Sequence, residues 1–102
     1  MITEIVDIEV KPGEEAAFEA AVAQAIPVFR RSKGCRGLEL TRTIERPSKY
    51  RLFVKWETLE DHTVTFRGSE NFQDWRRLVG PYFASPPTVE HVSVAVAGFE
   101  QN

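Results

Sequence analysis

The chain contains two imidazoles, His62 and His91, and one thiol, Cys35. Imidazole changes charge near neutral pH, so a histidine set among aromatic rings is a candidate general base. His62 has that setting, because Trp56 precedes it, Phe66 follows it, and Phe72 and Trp75 come soon after. Burial beside Leu59 and Phe66 favours the neutral, proton-accepting ring. The chemistry this permits is removal of a proton from a planar small molecule held among those rings. Such a reaction needs a pocket for a planar ring, exclusion of water and one proton acceptor. Phe29, Phe66, Phe72, Trp75 and Tyr82 are the candidate substrate-binding residues, and Phe18 and Phe83 add further ring surface. Tyr82 could also donate a hydrogen bond to a substrate oxygen.

Plainer readings fit the same residues. A core histidine bonded to a backbone carbonyl produces the pattern around His62, and packing alone accounts for Trp56 and Trp75. His91 sits mid-strand among small residues, where a cross-strand or dimer-interface hydrogen bond fits better than catalysis. A metal held by His62, His91 and a carboxylate has enough ligands, but nothing in the spacing signals it. Gly34, Gly37 and Gly68 are isolated, so no dinucleotide or phosphate loop is present and no cofactor is expected. Arg36 could favour a thiolate at Cys35, yet its setting between Gly34 and Gly37 reads better as turn chemistry around a small structural residue.

The elements that must position these groups follow from periodicity. Residues 2 to 10 alternate, with Ile2, Val6, Ile8 and Val10 opposite Thr3, Asp7 and Glu9, and Ile5 as the apolar exception on the polar face; this is a strand. Pro12-Gly13-Glu14-Glu15 turns the chain into a helix whose early carboxylates suit its positive end. Phe18, Ala21, Val22, Ala25, Ile26 and Phe29 form its apolar stripe, Pro27 should bend it, and Gly34 ends it. Leu38, Leu40 and Ile44, then Tyr50, Leu52, Val54 and Trp56, mark two strands of an antiparallel hairpin. Thr58 and Asp61 resemble a capping box opening a short helix with Leu59, His62, Thr63 and Phe66 on one face. Ser69 caps the next helix, in which Phe72, Trp75, Val79 and Tyr82 face inward. A last strand over roughly 88 to 97 carries Val92, Val94 and Val96 on one face and His91, Ser93 and Ala95 on the other.

Strand, helix, strand, strand, helices, strand is the order of an α+β, ferredoxin-like split β-α-β fold with a four-stranded antiparallel sheet. At 102 residues and 42% apolar content, residues 1–102 make a single domain. Its helices can cover one sheet face only. The other face is mixed, with Ile5, Phe53, Cys35 and Ala95 among charged residues, so a homodimer through the open sheet face is expected. Asp7 and Arg51 lie on that face, where an interfacial salt bridge is their expected use. A formal net charge of −2 with scattered Lys and Arg argues against nucleic acid. No basic start with an apolar run opens the chain, and no stretch approaches the ~20 apolar residues of a span, so no membrane association and a cytoplasmic location are expected.

The chain resembles the antibiotic biosynthesis monooxygenase family of dimeric α+β barrels. The matching features are Pro12-Gly13 with Phe18, Gly34-Cys35-Arg36-Gly37, and Tyr50 to Trp56 followed by Glu57-Thr58. His62, Phe66, Ser69, Phe72, Pro81-Tyr82 and Val89-Glu90-His91-Val92 complete the match. The resemblance implies a small homodimeric monooxygenase acting without cofactor on a polyketide- or quinol-like aromatic, with His62 as the general base that deprotonates an electron-rich phenol, hydroquinone or anthrone, whose anion gives an electron directly to O2. A dimer that binds a small molecule without turnover, or an isomerase of a small metabolite or signalling molecule, is the alternative. The haem-degrading members pair an Asn on the first strand with a Trp on the short helix and a His on the next. Here those places hold Glu4 and Asp7, no Trp, and Trp75, Arg76 and Arg77, so haem is not expected.

Overall fold

Alternation along residues 2 to 9 produces the strand around which everything else is arranged. The computed structural model describes residues 1–102, with β1 (Ile2–Glu9), α1 (Glu15–Arg30), β2 (Cys35–Arg42), β3 (Lys49–Trp56), α2 (Glu70–Val79) and β4 (Thr88–Val92). A π-helical turn, Asp61–Phe66, and a 3-10 turn, Gly80–Tyr82, flank α2. β1 pairs antiparallel with both β3 and β4, and the sheet order β2-β3-β1-β4 is the ferredoxin-like one. No helix is long and apolar enough to cross a membrane.

The helices cover one face. Val6, Ile8 and Val10 from the first strand region meet Tyr50, Leu52, Val54 and Trp56 of β3 in a core closed by Phe18, Val22, Ala25 and Phe29 of α1 and by Trp75 and Val79 of α2. Phe29 stacks on Phe66 at 5.2 Å and meets Trp75 edge-on at 4.9 Å, which ties α1 to both later helical segments. Burying a ring such as Phe18 contributes on the order of 1.5–3 kcal/mol, so this cluster carries much of the stability. Val28 is buried where Ile26 was expected, because Ile26 faces an open cleft between α1 and β2. Pro27 lies within α1, which continues to Arg30.

Four expectations are corrected. A bulge between Cys35 and Gly37 sets Cys35 opposite Trp56 while Leu38 opposes Val54, so the extra residue turns Cys35 to the helix-covered side rather than the open face. β4 stops at Val92 and not near residue 97. Val92 lies opposite Thr3, β1 begins at Ile2, and beyond it Val94 and Val96 have no strand to pair with and stand 80% and 85% exposed; Ala95 is outside the sheet as well. Ile44 likewise lies past the end of β2 and is exposed. Asp7 and Arg51, directly opposite across β1 and β3, pair with each other at 2.9 Å within one chain.

The turn that carries His62 is fixed from both ends. Gly34 has φ +79°, and a Cβ there would collide with the buried Asp61 carboxylate, so only glycine lets the end of α1 approach this segment. The Asp61 N–H donates to Thr58 Oγ1 at 3.1 Å, which forms one half of the expected capping box. The Arg67 N–H donates to the His62 carbonyl at 3.1 Å, the wide π-type bond. That widened turn presents Asp61, His62 and Phe66 inward and leaves Leu59 exposed, contrary to the helical spacing expected.

Candidate active site

Between the sheet and the helices lies a cavity of about 810 Å³. Glu4 and Val6 of β1 and Val89 of β4 form its sheet wall; Phe29, His62, Phe66, Phe72 and Trp75 line the helical side, and Phe83 with Pro81, Pro86 and Pro87 closes one end. Arg67, Arg76 and Arg77 are also at its border. Phe29, Phe66, Phe72 and Trp75 therefore share a cavity with His62. Tyr82 does not line it; the 3-10 turn ends there, and the following Phe83 takes the place expected of it.

His62 is 2% exposed and Glu4 6% exposed, and the two side chains face each other. Glu4 occupies the even-numbered, core-facing row of β1 between Ile2 and Val6, directly opposite His91 on β4. Its Oε1 accepts from the Trp56 indole N–H at 3.0 Å, and its Oε2 lies 3.3 Å from His62 Nε2. His62 Nδ1 in turn lies 2.8 Å from His91 Nε2. The His62 ring also stacks on Trp56, 5.5 Å between centroids. Four residues from three strands and the π turn thus form one row, Trp56–Glu4–His62–His91, hydrogen-bonded at its two ends and joined in the middle by the 3.3 Å approach of Glu4 to His62.

Burial governs its ionisation. The Glu4 carboxyl is pushed up to about 7 by burial, against the opposing effects of the Trp56 hydrogen bond and the Arg67 charge. His62 is pushed down to about 4 by burial, with Arg67 and His91 acting in the same direction. Burial followed by Arg67 also lowers His91. Near neutral pH both rings are uncharged and Glu4 is poised between its two forms.

Donor and acceptor roles then fall into two complete patterns. With Glu4 ionised, His91 Nε2–H donates to His62 Nδ1 and His62 Nε2–H faces Glu4 Oε2. With Glu4 protonated, each of these contacts reverses, and the extra proton enters at His91 Nδ1. The row can therefore carry a proton between a buried carboxyl in the cavity and a half-buried histidine on β4. Both side chains line the cavity, but each nitrogen of His62 faces a protein partner, whereas a carboxylate oxygen of Glu4 can accept a second hydrogen bond. Sequence reasoning missed Glu4, although an acid in an otherwise apolar, even-numbered row of a strand was the available signal. No group of three or more His, Cys, Asp or Glu side chains is arranged to hold a metal ion; His62 meets Glu4 and His91 through opposite ring nitrogens, in line rather than around a point.

A second cleft of about 580 Å³ separates α1 from β2 and is bordered by Val22, Ile26, Cys35, Leu38 and Leu40. Burial raises the Cys35 thiol, and Arg36 is engaged with Glu57 instead of activating it. Cys35 is a packing residue here.

The family model described as antibiotic biosynthesis monooxygenase matches residues 1–78. The uncharacterized protein YczJ of Bacillus subtilis (strain 168) is 43% identical over 91 residues, covering 89% of this chain and 96% of YczJ. A crystal structure from Bordetella bronchiseptica, provisionally named an antibiotic biosynthesis monooxygenase, superimposes with a TM-score of 0.91 at 54% identity, covering 93% of this chain and 97% of the other. A mutant of SnoaB from Streptomyces nogalater, a cofactor-independent oxygenase, has a TM-score of 0.79 with 94% of both chains covered; at 16% identity this likeness shows the fold.

Proposed function

The chain belongs to the antibiotic biosynthesis monooxygenase family, and from that premise we propose that it is a cofactor-independent monooxygenase of an aromatic, polyketide- or quinol-like small molecule. The observation that carries this reading is the row of buried Glu4 and His62 with half-buried His91, opening on a ring-lined cavity. Glu4 is the proton acceptor that meets the substrate, and His62 is the link behind it, a change from the role in which His62 alone is the base. A carboxyl whose pKa is near 7 is matched to accepting and returning a proton at neutral pH.

For an anthrone-type substrate the steps balance as follows. Glu4 takes one proton from the ring CH2, and the resulting carbanion transfers an electron to O2. Recombination forms a C–O bond, and the peroxide anion takes the proton back from Glu4. Loss of the second C–H proton with cleavage of the O–O bond leaves a carbonyl on carbon and releases water. Phe29, Phe66, Phe72 and Trp75 hold the planar ring and exclude solvent.

We place the working unit as a homodimer through the open sheet face, where Ile5 and Phe53 are half-buried opposite neighbours, with the alternating Val94 and Val96 tail available to a second copy. Oxygen uptake with anthrone and hydroquinone substrates tests the oxygenase. Uptake by the native protein that is lost in Glu4→Gln is the expected result. No uptake above that variant across the panel overturns it, and turnover without O2 consumption identifies an isomerase instead.

A further inference from the structure

Of the nine arginines, Arg31, Arg36, Arg42, Arg46, Arg51 and Arg77 each pair with a carboxylate. Arg30, Arg67 and Arg76 have no such partner; Arg30 borders the cleft between α1 and β2, and Arg67 and Arg76 border the aromatic cavity. The one carboxylate in the cavity wall, Glu4, already accepts from Trp56 and faces His62. Arg77, also at the border, shares Asp74 with Arg31, so that single carboxylate is divided between two guanidinium groups. A ring-lined cavity in a net-acidic chain thus has three arginines at its border, two of them without a carboxylate partner.

Of the two at this cavity, Arg76 has its guanidinium held in place and Arg67 has its backbone fixed. The Arg76 guanidinium lies 5.7 Å from the centre of the Phe72 ring, a cation-π contact that keeps it against a cavity wall. Arg67 is joined to the proton row through its backbone, since its N–H donates to the His62 carbonyl. Its charge reaches the row as well, opposing protonation of Glu4, His62 and His91. Arg76 and Arg77 stand in the last turn of α2, where any cation is favoured by the helix dipole, but that accounts for neither Arg67 nor the absence of carboxylate partners.

We propose that the natural substrate is an aromatic acid, whose ring enters the ring-lined cavity while its carboxylate is bound at the border by Arg67 and Arg76. The inference rests on the reading of this cavity as the substrate site, and adds a substrate class to it. Guanidinium binds carboxylate with charge-assisted, paired hydrogen bonds, so such a site selects an acid over its neutral isostere.

The test is anaerobic titration calorimetry with 6-hydroxy-2-naphthoate and 6-hydroxy-2-naphthamide, which differ in charge and little in shape. The acid is expected to bind about tenfold more tightly or better. Arg67→Gln and Arg76→Gln should each reduce acid binding and leave amide binding unchanged, and added salt should weaken the acid alone. Both positions are exposed, so circular dichroism is expected to show native folding. Equal affinity for acid and amide, or undiminished acid binding in both variants, overturns the proposal while leaving the cavity reading intact. Failure of both ligands to bind overturns the two together. Selective acid binding without O2 uptake on any substrate sinks only the oxygenase.

Discussion

Replacing Glu4 with glutamine should stabilise the protein at alkaline pH while abolishing turnover. Glutamine has the shape of protonated glutamate: its carbonyl can accept from Trp56 and its amide can donate to His62. The substitution therefore fixes one of the two states of the row. In the native chain the carboxyl moves from an ordinary 4.5 in the unfolded state to about 7 in the folded one, so folding is linked to proton uptake. Stability from this group is fully present below pH 4.5 and is lost as pH rises through 7. The separation corresponds to about 3 kcal/mol, and Glu4 is buried enough that solvent screening removes little of it. His62 acts with the opposite sign: its folded value of about 4 lies below its unfolded 6.5, so its contribution is present above pH 6.5 and lost as pH falls towards 4. Between pH 4.5 and 6.5 the two slopes largely cancel in the native protein. Comparing native and Glu4→Gln chains leaves the Glu4 contribution. Urea unfolding at pH 4 and pH 8 should show the variant gaining about 3 kcal/mol relative to the native chain at the higher pH. O2 uptake should fall by ~100-fold or more, the usual contribution of a positioned base. A stability difference that does not change with pH would mean that Glu4 is not the group burial perturbs, and the proton row would lose its acceptor.

Other perturbations probe the remaining parts. His91→Ala should lower kcat and leave KM near its native value, with partial rescue by added imidazole, because His91 is the row's end away from the cavity; an unchanged kcat contradicts relay through it. Gly34→Ala should destabilise by roughly 2 kcal/mol or more, since a left-handed backbone and a collision with Asp61 act together, and thermal melting will measure it. The double variant Gly34→Ala, Asp61→Ala should recover only the part due to the collision. Phe53→Glu, on the open sheet face, should convert a dimer to a monomer by light scattering at micromolar concentration; a native protein that is already monomeric refutes the dimer.

The fold was legible because its strands alternate and its helices carry apolar stripes, and those patterns depend on local sequence alone. What remained hidden depended on register. Alternation through Val92, Val94 and Val96 reads as a continuing strand, yet a strand exists only where a neighbour supplies bonds, and β1 ends opposite Val92. The bulge at Cys35 is likewise invisible in the pattern, because one extra residue reverses the face of everything before it. A π turn looks like an ordinary helix in sequence; only the long bond from Arg67 to His62 reveals why Leu59 is exposed and Asp61 buried.

The proton row illustrates the same dependence in the site. His62 stood out by residue type, but its meaning changed once both of its nitrogens had partners, and those partners come from residues 4 and 91 at opposite ends of the chain. β1 is the central strand that brings them together, since it pairs with β4 on one side and with β3, which carries Trp56, on the other. An acid at position 4 in that central strand would be a defect in a purely structural core, because a buried carboxyl is destabilising at neutral pH unless it is paired. Its retention beside two neutral histidines, against a cavity with a cationic border, is better explained by chemistry than by stability. The Glu4→Gln comparison addresses that explanation directly: a variant that is more stable and inactive marks a group whose presence serves turnover at the expense of the fold.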